Sequence, residues 1–89
     1  MENVRIAILN SENKVVAYMD NTAPNAMHYY DDELHTYLQG SAYTFKFETG
    51  TLNTEAEYLA VGNHLAFQHA DKDYYLNIMH VEKTEYTAS

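Results

Sequence analysis

Imidazoles are the first place to look for chemistry in this chain, because near pH 7 a histidine can act as general base, general acid or zinc ligand. Five are present: His28, His35, His64, His69 and His80. Their spacing argues against a shared site. His64 and His69 lie in a segment with strand alternation, which sends their side chains to opposite faces. His28 and His35 share no helical turn, and no His-Glu-x-x-His pair occurs. A hairpin closing at Asp71-Lys72 would set His64 opposite Met79 and His80 opposite Asn63, and neither pair makes a metal cage. The densest polar cluster, Asp31-Asp32-Glu33 between His28 and His35, has no nucleophile, no glycine for the sharp turn of a calcium loop and no further carboxylate at a ligating spacing. An exposed acidic loop is the expectation there. Ser11, Ser41 and Ser89 stand in no nucleophile-elbow context, and Gly40, Gly50 and Gly62 are isolated rather than grouped as a phosphate loop. No catalytic, cofactor-binding or metal-binding residue is expected, and hence no enzyme.

The tyrosines carry more information. Tyr29-Tyr30 and Tyr74-Tyr75 are adjacent pairs, and in extended chain adjacent side chains point to opposite faces. One member of each pair is therefore expected to point away from a single core. Surplus aromatics can be ordinary surface packing or a protein interface, where tyrosine supplies contact area at low entropic cost. These four residues, Tyr29, Tyr30, Tyr74 and Tyr75, are the candidate interface. A sugar-stacking platform is the weaker alternative, since the chain has no tryptophan.

The elements that must hold these residues are set by a short chain. With 89 residues there is room for one domain, which buries only about 60 to 65% of the surface its unfolded form exposes. No cysteine is present, so neither a disulfide framework nor a thiolate metal site supports the core. Nine tyrosines and three phenylalanines, with a single proline, suit half-buried strands better than a helical bundle. The formal charge of -8 opposes binding to phosphate backbones, so nucleic acid is excluded as an expected partner. The start, Met1-Glu2-Asn3-Val4-Arg5, lacks the features of a signal peptide, and no apolar run is long enough for a membrane span. A soluble protein made in the cytosol is expected.

Along the chain, Val4, Ile6 and Ile8 alternate with Arg5, Ala7 and Leu9 as a first strand, and after the turn residues Asn10-Ser11-Glu12-Asn13 the segment Lys14 to Asp20 returns as its hairpin partner. Pro24 marks a loop or edge crossing. Residues 26–39 fit neither period cleanly; irregular or short-strand structure is the preferred reading, with Leu34 and Leu38 on a helical face as the alternative. Tyr43, Phe45 and Phe47 then share one face of the clearest strand. Thr54 with Glu57 matches a capping box, which predicts a short helix near residues 55–61 closed by Gly62. His64 to His69 and Tyr74 to Val81 read as a last hairpin with its tip at Ala70-Asp71-Lys72-Asp73. The predicted fold is mainly β: a small, partly open β-barrel or sandwich of six or seven short antiparallel strands with one short helix. The expected domain spans residues 1–82, with 83–89 a tail or the start of a linker.

Several of these pieces recur in order. Asp20-Asn21 follows the opening hairpin and leads to Pro24-Asn25; Leu38-Gln39-Gly40-Ser41-Ala42 precedes the aromatic strand; Tyr58-Leu59-Ala60-Val61-Gly62-Asn63 precedes a strand with Phe67. On these residues the chain resembles, over residues 4–82, the N-terminal domain of phage and prophage minor structural proteins, the tail-associated, baseplate hub-like proteins of phages of Gram-positive bacteria. The resemblance implies a small β-barrel that builds a ring at the tail tip, with the distal tail protein, other tail components and, in full-length proteins, a homotrimer as partners. It implies location in the virion tail after synthesis in the bacterial cytoplasm. Full-length relatives carry further hub domains and often a peptidase, lysin or receptor-binding region; none of these fits within 89 residues, so no lytic activity carries over. The alternative is a freestanding aromatic carbohydrate- or protein-binding β domain.

Overall fold

The computed structural model describes residues 4–24, 26–36, 43–50 and 54–89. Among the described residues seven strands form: β1 (Ile6–Leu9), β2 (Val15–Met19), β3 (Tyr29–Thr36), β4 (Tyr43–Thr49), β5 (His64–His69), β6 (Lys72–Glu82) and β7 (Glu85–Ala88). All pair antiparallel in one sheet of order β2-β1-β5-β6-β7-β4-β3. The only helical element among them is a 3₁₀ turn, Thr54–Tyr58. Leu38 and the segment Gly40-Ser41-Ala42 lie outside the described residues, as does Asn25.

The long strand β6 joins two halves. Its first part pairs with β5, from His69↔Lys72 to His64↔Asn77. Its second part pairs on the opposite edge with β7, from Ile78↔Ala88 to Glu82↔Glu85. The sheet folds over along this strand, because only then do both halves bury their apolar faces against each other. Phe45 of β4 and Phe67 of β5, from different halves, have ring centroids 5.3 Å apart. Ile6, Ile8, Leu65, Leu76, Ile78, Phe45 and Phe47 fill the interior, and Tyr86 stacks on Phe47 at 5.2 Å.

The outermost strands, β2 and β3, are tied at one end rather than zipped. Asp20 N–H donates to Met27 O at 2.9 Å. The Asn21 side chain both donates to Tyr29 O and accepts from Tyr29 N–H, each at 2.8 Å, so it stands in for a strand residue. Among the described residues the seam beyond that point carries no ladder, and the result is a partly open roll, as the aromatic and β-branched alternation predicts.

Four local expectations are corrected. The helix predicted near residues 55–61 is a single 3₁₀ turn ending at Tyr58. Asn63 takes the carbonyls a longer helix would have offered to its own next turn, its side-chain amide bonding Tyr58 O and its N–H bonding Ala60 O. Gly62 adopts the positive φ of 101° that the sequence suggested for this stop. The last hairpin turns at Ala70-Asp71, with φ of 51° and 62° as in a type I′ turn, so His64 faces Asn77 rather than Met79. The triplet Asp31-Asp32-Glu33 is not a loop but part of β3, where Asp31 and Asp32 bulge opposite the single residue Phe47. Finally, residues 83–89 are no tail: Lys83, at φ 55°, starts a two-residue turn into β7, which pairs with both β4 and β6.

Candidate interaction surfaces

The four candidate tyrosines divide as strand alternation requires. Tyr30 and Tyr75 are 47% and 46% exposed, whereas Tyr29 and Tyr74 are 2% and 7% exposed and belong to the core. Tyr29 and Tyr74 are thereby removed from the candidate interface. Tyr74 stacks on Phe67 at 5.1 Å and meets Tyr43 edge-on at 4.9 Å. Tyr29 carries its hydroxyl to the entry of β1, donating to Val4 O at 2.6 Å and accepting from Val4 N–H at 2.9 Å. Burial pushes its phenol above the ordinary value of 10.0; the bond from Val4 opposes this, and the charges of Asp32 and Asp20 add to it.

Tyr30 and Tyr75 lie on different halves of the roll. Tyr30 pairs with Glu48 on β4, and Tyr75 pairs with Ala66 on β5. Around Tyr75 the outer face of the first half is nearly free of charge. One row across four strands reads Tyr18, Ala7, Ala66, Tyr75, and the next reads Val15, Leu9, His64, Asn77. Tyr75 is fixed at three points: its ring stacks on His64 at 5.1 Å, its hydroxyl donates to Asn13 Oδ1, and its carbonyl accepts from Tyr43 O–H at 3.3 Å. Tyr18 is held under the Arg5 guanidinium, 4.0 Å from the ring centre. Sequence reasoning passed over Tyr18 because the bulge in β2 was invisible. Val15 pairs with Leu9 while Ala17 pairs with Ile8, so one residue is extra and the alternation shifts.

The outer face of the other half is acidic. Glu48 faces Glu85, and Glu85 faces Glu82, a ladder of glutamates on three adjacent strands. Asp31 joins this row, and a shallow groove there is lined also by Glu33, Lys46, His80 and Thr87. The neighbouring Asp31 side chain, first by hydrogen bonding, raises the Glu48 pKa above its ordinary value of 4.5; desolvation and the charges of Asp31 and Glu85 act in the same direction. Asp20, by contrast, is held below its ordinary 3.8 by the Thr22 hydroxyl at 2.6 Å and then by the Thr22 N–H at 2.9 Å.

No family model, curated protein or solved structure matches the chain.

The histidines are dispersed over this surface. His28 bonds Ala23 O at 2.9 Å, His35 lies 3.3 Å from Glu33, His80 lies 3.6 Å from Glu82, and His64 bonds Asn77 Oδ1 at 2.6 Å. Among the described residues no three His, Asp or Glu side chains are grouped to hold a metal ion. No helix among them is long and apolar enough to cross a membrane. The described surface presents two ordered tyrosines, Tyr18 and Tyr75, on a face with few charges, and a second face of concentrated negative charge.

Proposed function

We propose that this chain is a structural component of a phage or prophage tail tip, an N-terminal ring or hub domain that assembles with the distal tail protein and with copies of itself. The reading rests on the ordered set of residues by which the sequence resembles hub-like proteins. Those that are described here work as scaffold. Asp20 and Asn21 build the corner that ties β2 to β3, and Gly62-Asn63 end the 3₁₀ turn and feed β5. A module of this kind acts by fit rather than by reaction, and the exposed Tyr30 and Tyr75 supply the aromatic contacts that interfaces favour. On this reading the protein is not an enzyme and works in the virion tail after synthesis in the bacterial cytoplasm.

Co-expression with a cognate distal tail protein tests the proposal. A stable complex on gel filtration supports it, and clean separation of the two proteins at micromolar concentration defeats it. Titration with cell-wall polysaccharide, read by tyrosine fluorescence, addresses the carbohydrate-binding alternative; a flat response leaves that alternative without support.

A further inference from the structure

The two outer faces of the roll differ in charge, and that difference selects what can cover the apolar one. The rows Tyr18-Ala7-Ala66-Tyr75 and Val15-Leu9-His64-Asn77 contain no carboxylate in a chain with 13 acidic residues and a net charge of -8. The opposite half presents Glu48, Glu85 and Glu82 in a ladder with Asp31 beside it. Two copies of so acidic a chain repel each other over most orientations. They approach at least electrostatic cost with the uncharged faces together and the glutamate ladders pointing apart.

Shape and order point the same way. Ala7 and Ala66 make a floor two strands wide, with Tyr18 and Tyr75 on the strands to either side and the Tyr75 ring laid over His64. A two-fold axis parallel to the strands sets Ala7 and Ala66 of one copy against Ala66 and Ala7 of the other, with Tyr18 of each copy against Tyr75 of its partner. Both tyrosines are already immobilised, Tyr75 by His64, Asn13 and Tyr43 and Tyr18 by Arg5, so little side-chain entropy remains to be lost on contact. Charge is complementary at the border. Arg5 precedes the floor on β1 and Asp73 flanks it on β6, so a two-fold axis parallel to the strands brings the cationic side of one copy toward the anionic side of the other.

We propose that this face, centred on Ala7, Ala66, Tyr18 and Tyr75, is a homodimer interface. The inference rests on the surface itself and not on the tail role. The patch is only about 14 Å from its first strand to its last at a spacing of ~4.8 Å, smaller than the ~800 Å² per partner of stable complexes. The dimer is accordingly concentration-dependent, forming in the range of tens to hundreds of micromolar on the scale of such small contacts.

Sedimentation equilibrium of the whole chain from about 10 to 500 µM, spanning that range, tests this. Wild type is expected to pass from monomer to dimer, and Ala66→Glu, which puts a carboxylate on each floor, to raise the dissociation constant about tenfold or more. Lys46→Gln, exposed on β4 of the other half, is expected to change nothing. A wild-type monomer throughout, or an oligomer that persists unchanged in a natively folded Ala66→Glu variant, overturns the proposal. A dimer formed through this face together with failure to bind the distal tail protein would reject the tail role and leave the interface standing.

Discussion

Tyr29 shows how a side chain that looks like surface chemistry in sequence becomes a fastening in the fold. Its ring is buried beside Phe45, with centroids 6.4 Å apart, and its hydroxyl satisfies both backbone groups of Val4. Tyr29→Phe keeps the ring and leaves a backbone N–H and C=O without their partner, so a loss of about 1–2 kcal/mol in urea unfolding is expected. Tyr30→Phe, altering an exposed neighbour, is expected to change stability by less than about 0.5 kcal/mol. Glu48 makes a pH prediction at the same scale. Its folded pKa is raised above the ordinary 4.5, so the folded state binds the proton more tightly than the unfolded state does. That contribution to stability is fully present below 4.5 and lost as pH rises through the folded pKa. Glu48→Gln is expected to remove this falling limb and to be more stable than wild type at neutral pH, as thermal unfolding across pH 4 to 8 would show. A parallel pair of curves would contradict the raised pKa of Glu48.

Turns decide the elements, and they mark where sequence reading succeeded or failed. The first hairpin was legible because Asn10 and Asn13 advertise it: Asn10 Oδ1 accepts from Glu12 N–H and Lys14 N–H, and Asn13 takes a φ of 61°. The last hairpin is legible as a reversal within Ala70-Asp71-Lys72-Asp73, but Ala70 and Lys83 stand at positive φ, where glycine or asparagine is usual, so their chemistry marks neither the exact turn centre nor the turn into β7. The hairpin register was missed by two residues on β6 for that reason, and β7 was read as a tail. The aromatic alternation of β4 and the inward Leu65 and Phe67 of β5 were legible because a pleated strand with one buried face leaves a period of two. The candidate interface was half legible: alternation told that one tyrosine of each pair points outward, but which one depends on long-range packing. Alanine in a left-handed conformation costs about 1–2 kcal/mol, and the pair Ala70→Asn with Asp71→Gly matches the type I′ turn. This double variant is expected to raise stability by about 1 kcal/mol, measured by the urea midpoint at unchanged m-value. A fall in stability would mean that the turn is not of this type.

At the scale of the whole molecule, β7 is the element on which the architecture depends. Among the described residues the only strand ladder that joins the hairpin of β3 and β4 to the rest of the sheet runs through β7, which stands between β4 and β6. Its two inward side chains are Tyr86, stacked on Phe47, and Ala88, which is fully buried. Ser89 continues the ladder, exchanging both backbone bonds with Asn77 at 2.8 and 3.0 Å. Truncation after Glu82 would therefore do more than remove seven residues. It would expose two long strand edges, leave Phe47 without its stacking partner and detach the aromatic strand β4 from the half that carries Leu65 and Leu76. A domain of this size has a total stability of roughly 5–10 kcal/mol, and truncating one buried aromatic side chain typically costs about 3–5 kcal/mol. Tyr86→Ala is thus expected to consume much of the margin while remaining folded in the cold, and truncation after Glu82 is expected to yield an unfolded chain by circular dichroism and amide dispersion. Were the truncated chain to keep the native spectrum, β7 would be an accessory strand and the two halves would be held by the contacts of Phe45 with Phe67 and Tyr43 with Tyr74 and by the bonds of Tyr29 to Val4 and Asn21.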